Sequence, residues 1–174
     1  MSKTTYQKGH IDPWWGTSHQ TLSFINEPFN NPNDIKKWQE LGFTHDKFTG
    51  DMYDMRNPTP DWMNIKQLQS TFQFEQLSWS FYRMTSCTIL PEHIDTFSRF
   101  KELYDTTNKT IVRALVMLED WKQGHYVDMD GIANTNWKAG DYYIWEEDCL
   151  HTAANIGLAD RYTLQLTGLI DGRL

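Results

Sequence analysis

The sequence predicts a mainly β domain in the form of a barrel or a double-sheet jelly roll. Its second half consists largely of short runs in which apolar and polar residues alternate, separated by turns that contain Gly and Asp. The 174 residues suffice for one domain with a sizeable core, and the aromatic content of 14% is typical of an ordered protein. We therefore expect a single domain over 1–174, with an irregular and helical part at 1–70 and a jelly-roll core at 71–172.

The N-terminal part begins with a segment that is rich in Gly, Pro, Asn and aromatic residues. Residues 1–33 are predicted to form loops or irregular edge structure, with a short strand at 22–25. Trp14 and Trp15 are interpreted as packing anchors of this segment rather than as ligand contacts, because single aromatic side chains usually serve burial.

Two short helices are predicted next, over 34–42 and 61–69, because apolar residues recur there at helical spacing. Asp34 and Asp61 stand where a capping residue is expected. We expect both helices to buttress one outer face of the β core. The polar, Pro-rich stretch at 44–60 between them is either a lid or a solvated connection.

Strand patterns dominate from residue 71 onward. Alternation continues through Leu90, and Pro91 marks the end of a strand or an edge position. Residues 96–108 are interpreted as a crossover or a loop. Further strands are expected at 110–119, 124–129, 132–137, 142–145 and from 161 into the C-terminal tail. Asp130-Gly131 is a strong signal for a two-residue hairpin.

A second hairpin is expected around residue 156, because Gly157 is a natural turn residue. In such a hairpin, His151 and Arg161 would face each other on one side of the sheet. A guanidinium on a buried face beside an imidazole is unfavourable unless a ligand or an anion pairs with it. We interpret His151 as a metal ligand and Arg161 as the partner of the far carboxylate of an acid that is bound to the metal.

Charge and cysteine content argue against several classes of protein. The net charge of −7 leaves no basic footprint for a nucleic-acid backbone, so non-specific nucleic-acid binding is not expected. We expect no membrane span, because no run of 18 apolar residues exists and the first residues lack the apolar core of a signal peptide. The two cysteines, Cys87 and Cys149, fit free thiols in a reducing, cytoplasmic setting.

A possible metal site comes from the spacing of three residues. His93 and Asp95 are two apart, so a strand that carried both would aim an imidazole and a carboxylate at one point. With His151 they supply two nitrogens and one oxygen. This set is the 2-His-1-carboxylate facial triad of non-haem Fe(II) oxygenases.

The same His-x-Asp pattern also occurs at His10 and Asp12, where no strand precedes it. The strand context favours His93 as the ligand, and His10 is expected at the surface. His125, with Asp128 on the same predicted strand, is the best spare metal ligand. Two further histidines lie in polar loops and are expected to be solvated: His19 and His45.

The order of these motifs resembles the 2-oxoglutarate/Fe(II)-dependent dioxygenase superfamily. In that family an HxD motif, a Gly-Asp strand, a distal His and an Arg-x-Ser or Arg-x-Thr pair follow one another, as they do here. The resemblance implies a double-stranded β-helix fold. It further implies that Arg161 grips the C5 carboxylate of 2-oxoglutarate, with Thr163 as its hydroxyl helper. The iron ligands that it implies are His93, Asp95 and His151.

Two branches of the superfamily share shorter stretches with this chain. Residues 137–141, 151–155 and 113–118 are similar to the aspartyl/asparaginyl β-hydroxylase branch, although some members of that branch lack the acidic ligand that Asp95 provides here. Residues 81–84 are similar to prolyl-hydroxylase-like members. The first 70 residues resemble no family.

The resemblance implies an oxygenase that uses Fe(II), 2-oxoglutarate and O2, releases succinate and CO2, and hydroxylates a small molecule or a peptide side chain. Tyr82 and Arg113 are placed with the cosubstrate or in the surrounding pocket. A charge inside an apolar strand needs a partner, and for Arg113 a bound carboxylate, Glu119 or another Asp would serve. Three further side chains are candidates to line the pocket: Arg83, Tyr143 and Trp145. For all five candidates, core packing or a salt bridge is at least as good an interpretation.

Two other functions remain open from the sequence. One is a cupin-like metal protein, such as an isomerase, that uses the same barrel without 2-oxoglutarate-dependent oxidation. The other is a non-catalytic jelly-roll binding module in which the histidines and Arg161 are structural.

Overall fold

Two antiparallel sheets form the framework of the protein, for which a computed structural model describes residues 6–29, 31–44 and 49–174. The strands are β1 Tyr6–His10, β2 Ile25–Pro28, β3 Thr49–Asp54, β4 Leu77–Met84, β5 Thr88–His93, β6 Thr110–Met117, β7 His125–Met129, β8 Ile132–Asn134, β9 Asp141–Glu146, β10 His151–Asn155 and β11 Arg161–Ile170. The helices are α1 Pro32–Glu40, α2 Ile65–Phe72 and α3 Ser98–Leu103, with a 3-10 turn at Ser18–Thr21.

The large sheet has seven strands in the order β1-β9-β6-β11-β4-β3-β2, and the small sheet has four in the order β5-β10-β7-β8. From β4 onward the chain passes repeatedly from one sheet to the other, and only the β7–β8 hairpin stays within a sheet. This winding is the double-stranded β-helix, so the predicted mainly β jelly roll with a few N-terminal helices is confirmed.

The main hydrophobic core lies on the outer face of the large sheet. Alternate residues of the central strands point there, among them Phe81, Val112 and Leu166, and each is fully buried. Leu68 of α2 and Trp15 of the N-terminal segment cover them. The burial of Trp15 agrees with its interpretation as a packing anchor, and Trp14 packs edge-on against it at 4.9 Å.

The two predicted helices exist, but their starts and their places differ from the prediction. Asn31 caps α1 by accepting hydrogen bonds from two backbone N–H groups, and Asn64 caps α2, so Asp34 and Asp61 do not serve as caps. Only α2 buttresses the outer face. The helix α1 lies against the small sheet, where the indole of Trp38 donates to the carbonyl of Glu92.

The N-terminal part contributes more sheet than its composition indicated. β1 pairs with β9, and β2 and β3 extend the large sheet beyond β4. β3 lies within the stretch at 44–60 that was interpreted as a lid or a connection, of which 45–48 are outside the described residues. The predicted strand at 22–25 is shifted to Ile25–Pro28, and α2 extends to Phe72, so β4 starts only at Leu77.

Of the two predicted hairpins, one is confirmed and one is wrong. Asp130 and Gly131 form the turn between β7 and β8, both with positive φ, at 52° and 77°. The expected hairpin around residue 156 does not form, because β10 belongs to the small sheet and β11 to the large one. His151 pairs with His93 and Met129, so Arg161 is not its cross-strand neighbour.

The segment between β10 and β11 therefore crosses between the sheets. The side chain of Asn155 holds it, because its amide donates to the carbonyls of Met84 and Ala159 and its oxygen accepts from the N–H of Gly157. A Cβ at position 157 would lie 2.1 Å from the carbonyl oxygen of Gln123, so this crossing requires glycine. Over the described residues, no helix has the length and apolar character that crossing a bilayer demands.

Candidate metal centre

The ends of two paired strands bring the predicted triad together. His93 is the last residue of β5, and His151 is the first residue of β10 and its partner across the ladder. Asp95 follows two residues later, between β5 and α3. One ligand atom from each of the three lies within 4.8 Å of the others. Strand alternation does not place Asp95, because β5 has already ended, and its position depends on tertiary contacts.

Both histidines present the same ring nitrogen to the centre. The Nδ1 of His93 lies 2.8 Å from the carbonyl of Pro91, and the Nδ1 of His151 lies 3.0 Å from the carbonyl of Cys149. A carbonyl only accepts hydrogen bonds, so Nδ1 carries the hydrogen in each ring. Nε2 is then the unprotonated nitrogen, which is how histidine ligands are usually oriented in metal sites.

Burial keeps one of these imidazoles neutral. It lowers the pKa of His93 to about 4, with the neighbouring His151 as the next cause. The two rings are 4.2 Å apart between centroids. At neutral pH the Nε2 of His93 is therefore available to a metal ion without loss of a proton.

Asp95 is buried but ionised. Burial alone would raise its pKa, but the charge of Arg113 and then that of His151 outweigh burial, so the pKa lies below its usual range. Its Oδ1 accepts a hydrogen bond from the Nη1 of Arg113 at 2.5 Å. Its Oδ2 accepts one from the indole N–H of Trp145 at 3.2 Å and lies 3.6 Å from the Nε2 of His151.

Aromatic rings from both ends of the chain surround the histidines. The ring of Phe29 lies 5.4 Å from that of His93, and the ring of Trp38 lies 5.9 Å from it. Trp145 packs against His151 at 5.1 Å. Sequence reasoning did not place Phe29 or Trp38 at the site, because they belong to the N-terminal part and reach His93 only in the tertiary fold.

Arg161 is a buried cation without an anionic partner among the described residues. The residue is 6% exposed, and burial lowers its pKa to about 10, so it remains charged at neutral pH. Its Nη1 donates to the carbonyl of Tyr126 at 2.8 Å, while its Nε is buried without a hydrogen-bond partner. An unpaired buried charge is costly, so the site is suited to an anion.

The other predicted pocket residues lie on the same inner face of the large sheet. Thr163, 3% exposed, follows Arg161 by two residues and pairs with Tyr82 on β4. Burial raises the pKa of the Tyr82 phenol, against the opposing charge of Arg113. Tyr143 packs into the second core beside Tyr6 rather than at the triad.

The three other histidines that the structure describes lie outside the His-Asp-His group. His10 is half exposed at the surface, as expected, and its Nδ1 lies 2.8 Å from Asp141. The expectation that His19 is solvated is wrong, because it is 1% exposed and its Nε2 lies 3.0 Å from a carboxylate oxygen of Glu119. His45 lies outside the described residues.

His125 is buried near Arg161, but its Nε2 lies 2.8 Å from the carbonyl of Ala159 and therefore donates to it. The carboxylate of Asp128 accepts from the hydroxyl of Tyr126 and from a backbone N–H in the hairpin turn. Neither side chain belongs to the His-Asp-His group. His125 instead holds the segment that precedes Arg161.

Solved structures share this fold. A prolyl-4-hydroxylase from Pseudomonas putida matches with a TM-score of 0.53 and 13% identity, over 88% of this chain and 95% of that one. The plu4264 protein from Photorhabdus luminescens matches over 68% of this chain and 74% of that one, at a TM-score of 0.42 and 10% identity. A salicylate 1,2-dioxygenase from Pseudaminobacter salicylatoxidans matches over 53% of this chain and 21% of that one, at a TM-score of 0.36 and 12% identity.

At these identities the likeness is one of fold, and only the first match is near enough to support even that. No protein-family model matches the sequence, and no curated protein matches it. Any statement about activity therefore depends on the side chains of the site.

Proposed function

We propose that this protein is an Fe(II)- and 2-oxoglutarate-dependent oxygenase that hydroxylates a small molecule or a peptide side chain. The observation that carries the proposal is the combination of two features in one barrel. One is the His-Asp-His group formed by His93, Asp95 and His151. The other is the buried guanidinium of Arg161, which has no carboxylate partner among the described residues. The first feature fits a metal, and the second fits the far end of an acid bound to it.

The donor set suits ferrous iron. Two neutral imidazole nitrogens and one carboxylate oxygen are the ligands that non-haem Fe(II) oxygenases use, and they leave coordination positions open. His93 and His151 orient their Nε2 atoms through hydrogen bonds to backbone carbonyls, and Asp95 is ionised. These three residues would hold the metal.

The separation of Arg161 from the triad suits a five-carbon diacid. Arg161 is anchored at Tyr126, three residues along β7 from Met129, the residue that pairs with His151. At a rise of about 3.4 Å per residue, this is about 10 Å along the strand. A five-carbon diacid with a metal bond at one end and a hydrogen bond at the other covers a similar length, about 10 Å.

The iron and 2-oxoglutarate would supply the activation of O2, with conversion of the cosubstrate to succinate and CO2. The chain's own residues would bind and orient the reactants. Arg161 and Thr163 would hold the C5 carboxylate, and Tyr82 faces the same space from β4. Phe29 and Trp38 exclude water from the outer side of His93, which strengthens electrostatic interactions inside the site.

The alternative of a cupin-like metal protein that does not use this cosubstrate gives no anion to balance the buried charge of Arg161. The test is to add 2-oxoglutarate to the Fe(II) protein without oxygen and to record the visible absorption band, then to admit oxygen and measure succinate. Arg161→Ala should abolish the band at cosubstrate concentrations that saturate the wild type, while metal binding is retained.

Arg99→Ala is the matched control, because the side chain of Arg99 is 78% exposed and pairs only with Glu102 on the same helix among the described partners. It should behave as the wild type does. Unchanged 2-oxoglutarate affinity in Arg161→Ala, or a wild-type protein that binds Fe(II) and gives no band, would refute the proposal.

A further inference from the structure

We infer that Arg113 is a positioning residue of the metal centre: it holds Asp95 so that one carboxylate oxygen faces the metal, and it does not bind the cosubstrate. The inference rests on the proposed function only in requiring a divalent metal at the His-Asp-His group. It assigns different tasks to the two buried arginines of the barrel, Arg113 and Arg161.

Asp95 needs such a support because no strand carries it. β5 ends at His93, and Asp95 lies in the short connection before α3, outside both elements. The connection turns sharply at Phe97, which has a positive φ of 52°. Its carboxylate is nevertheless only 11% exposed and accepts hydrogen bonds from Arg113 and Trp145, so side-chain contacts determine where it points.

Three contacts fix the orientation of the Arg113 guanidinium beside Asp95. Its Nη1 donates to Asp95, its Nε lies 3.3 Å from the hydroxyl of Thr167, and its guanidinium carbon lies 4.8 Å from the centre of the Phe97 ring. Thr167 is the direct partner of Arg113 across β6 and β11. Two of the three nitrogens and one face of the guanidinium are therefore occupied before any ligand binds.

The consequence for Asp95 is that its two oxygens are not equivalent. Oδ1 is taken by Arg113, whereas Oδ2 faces the Nε2 of His151 at 3.6 Å and receives only the N–H of Trp145. Asp95 is therefore arranged to bind a metal through one oxygen. That arrangement preserves the open positions that a bidentate carboxylate would reduce.

Arg161 differs at each of these points. It has no carboxylate within ion-pair distance among the described residues, and its Nε has no partner. Arg113 already forms an ion pair with Asp95, while Arg161 is free to bind the carboxylate of a ligand. The structure thus favours Arg161 over Arg113 as the site for a diacid's distal carboxylate.

A charge-conserving substitution isolates this role. Removal of the Arg113 charge would have two opposing effects, since it frees Asp95 to move and also removes a cation that repels the metal. Arg113→Lys keeps the charge, but an ammonium group cannot donate to Thr167 and Asp95 from one rigid plane or stack on Phe97 in the same way. Loss of a side chain that orients a ligand typically weakens metal affinity about 10- to 100-fold.

The experiment compares Arg113→Lys with Arg161→Lys in the full chain. Mn(II) affinity is measured by electron paramagnetic resonance without 2-oxoglutarate, and the visible spectrum of the Co(II) protein reports the ligand geometry. Arg113→Lys should bind Mn(II) about tenfold more weakly and show a shifted Co(II) spectrum. Arg161→Lys should match the wild type in both and lose affinity for 2-oxoglutarate instead. Thermal unfolding of each variant checks that it is folded.

An Arg113→Lys protein with wild-type Mn(II) affinity and Co(II) spectrum would overturn the inference, as would a defect confined to 2-oxoglutarate binding. If Arg113→Lys does not fold, Thr167→Val carries the test. That variant removes the hydroxyl beside the guanidinium without changing the side chain's shape, and an unchanged Co(II) spectrum in it would overturn the inference. A wild type that binds Mn(II) but ignores 2-oxoglutarate refutes the proposed function alone, because both of these readouts need only the metal.

Discussion

Arg161→Met should stabilise the protein on its own and abolish its response to 2-oxoglutarate. Burial lowers the pKa of Arg161 from 12.5 to about 10. Since one pKa unit corresponds to about 1.4 kcal/mol, keeping the charge buried at neutral pH costs on the order of 3 kcal/mol. Methionine removes that cost and loses the hydrogen bond from the charged group to the carbonyl of Tyr126, worth about 1.5–3 kcal/mol. The free energy of unfolding should therefore rise by about 1 kcal/mol.

The assay is urea unfolding of the metal-free protein at neutral pH, with Arg83→Met as the matched control. Arg83 donates hydrogen bonds of 2.8 and 2.6 Å to the carboxylate of Asp51, so its replacement breaks an ion pair and should not stabilise. A fall of about 3 kcal/mol or more in the free energy of unfolding of Arg161→Met would refute the reasoning, because such a fall is typical when a buried charge loses a structural partner.

The same pair of variants tests the ligand. With Mn(II) present, 2-oxoglutarate at a hundred times its Kd should stabilise the wild type and Arg83→Met by about 2.7 kcal/mol. Arg161→Met should gain nothing at that concentration. A comparable gain in Arg161→Met would show that the cosubstrate binds elsewhere.

Trp38→Ala should lower the free energy of unfolding by about 3–5 kcal/mol, because the indole is 1% exposed and donates to the carbonyl of Glu92. Its ring also contacts His93, so the spectrum of the Co(II) protein should change. An unchanged spectrum would show that Trp38 does not influence the metal centre. Glu119→Gln should alter the acid stability. Burial would raise the pKa of Glu119, but hydrogen bonds led by that of His19 lower it from 4.5 to about 2. The stability that wild type gains over the variant should be full above about pH 4.5 and disappear as the pH falls towards 2. A difference in unfolding free energy that does not vary with pH would contradict this.

The grouping of the three proposed ligands was predictable, because few residue types can bind a metal ion. The pattern of His93, Asp95 and His151 survives as a spatial group with ligand atoms within 4.8 Å. The reason offered for it was incomplete, since strand alternation does not hold Asp95. Its carboxylate instead contacts Arg113 on the next strand, 18 residues away, and Trp145, 50 residues away.

The predicted hairpin around residue 156 failed because local turn signals do not say which sheet a strand will join. Gly157 does allow a turn, but β10 and β11 find their partners in different sheets. Likewise, His19 lies in a polar stretch, yet Glu119 lies a hundred residues away and buries it. Polarity of the flanking residues does not predict a partner at that separation.

By itself the sequence determined which segments alternate and which side chains can bind a metal, because these depend on residue type and local spacing. Tertiary structure decided the rest. The fold gave Arg113 and Arg161 different neighbours. Arg113 contacts the carboxylate of Asp95, whereas Arg161 donates to the carbonyl of Tyr126. This difference is the basis of the two roles that we propose for them. It arises because the energy of a buried charge is set by the groups that the fold places around it.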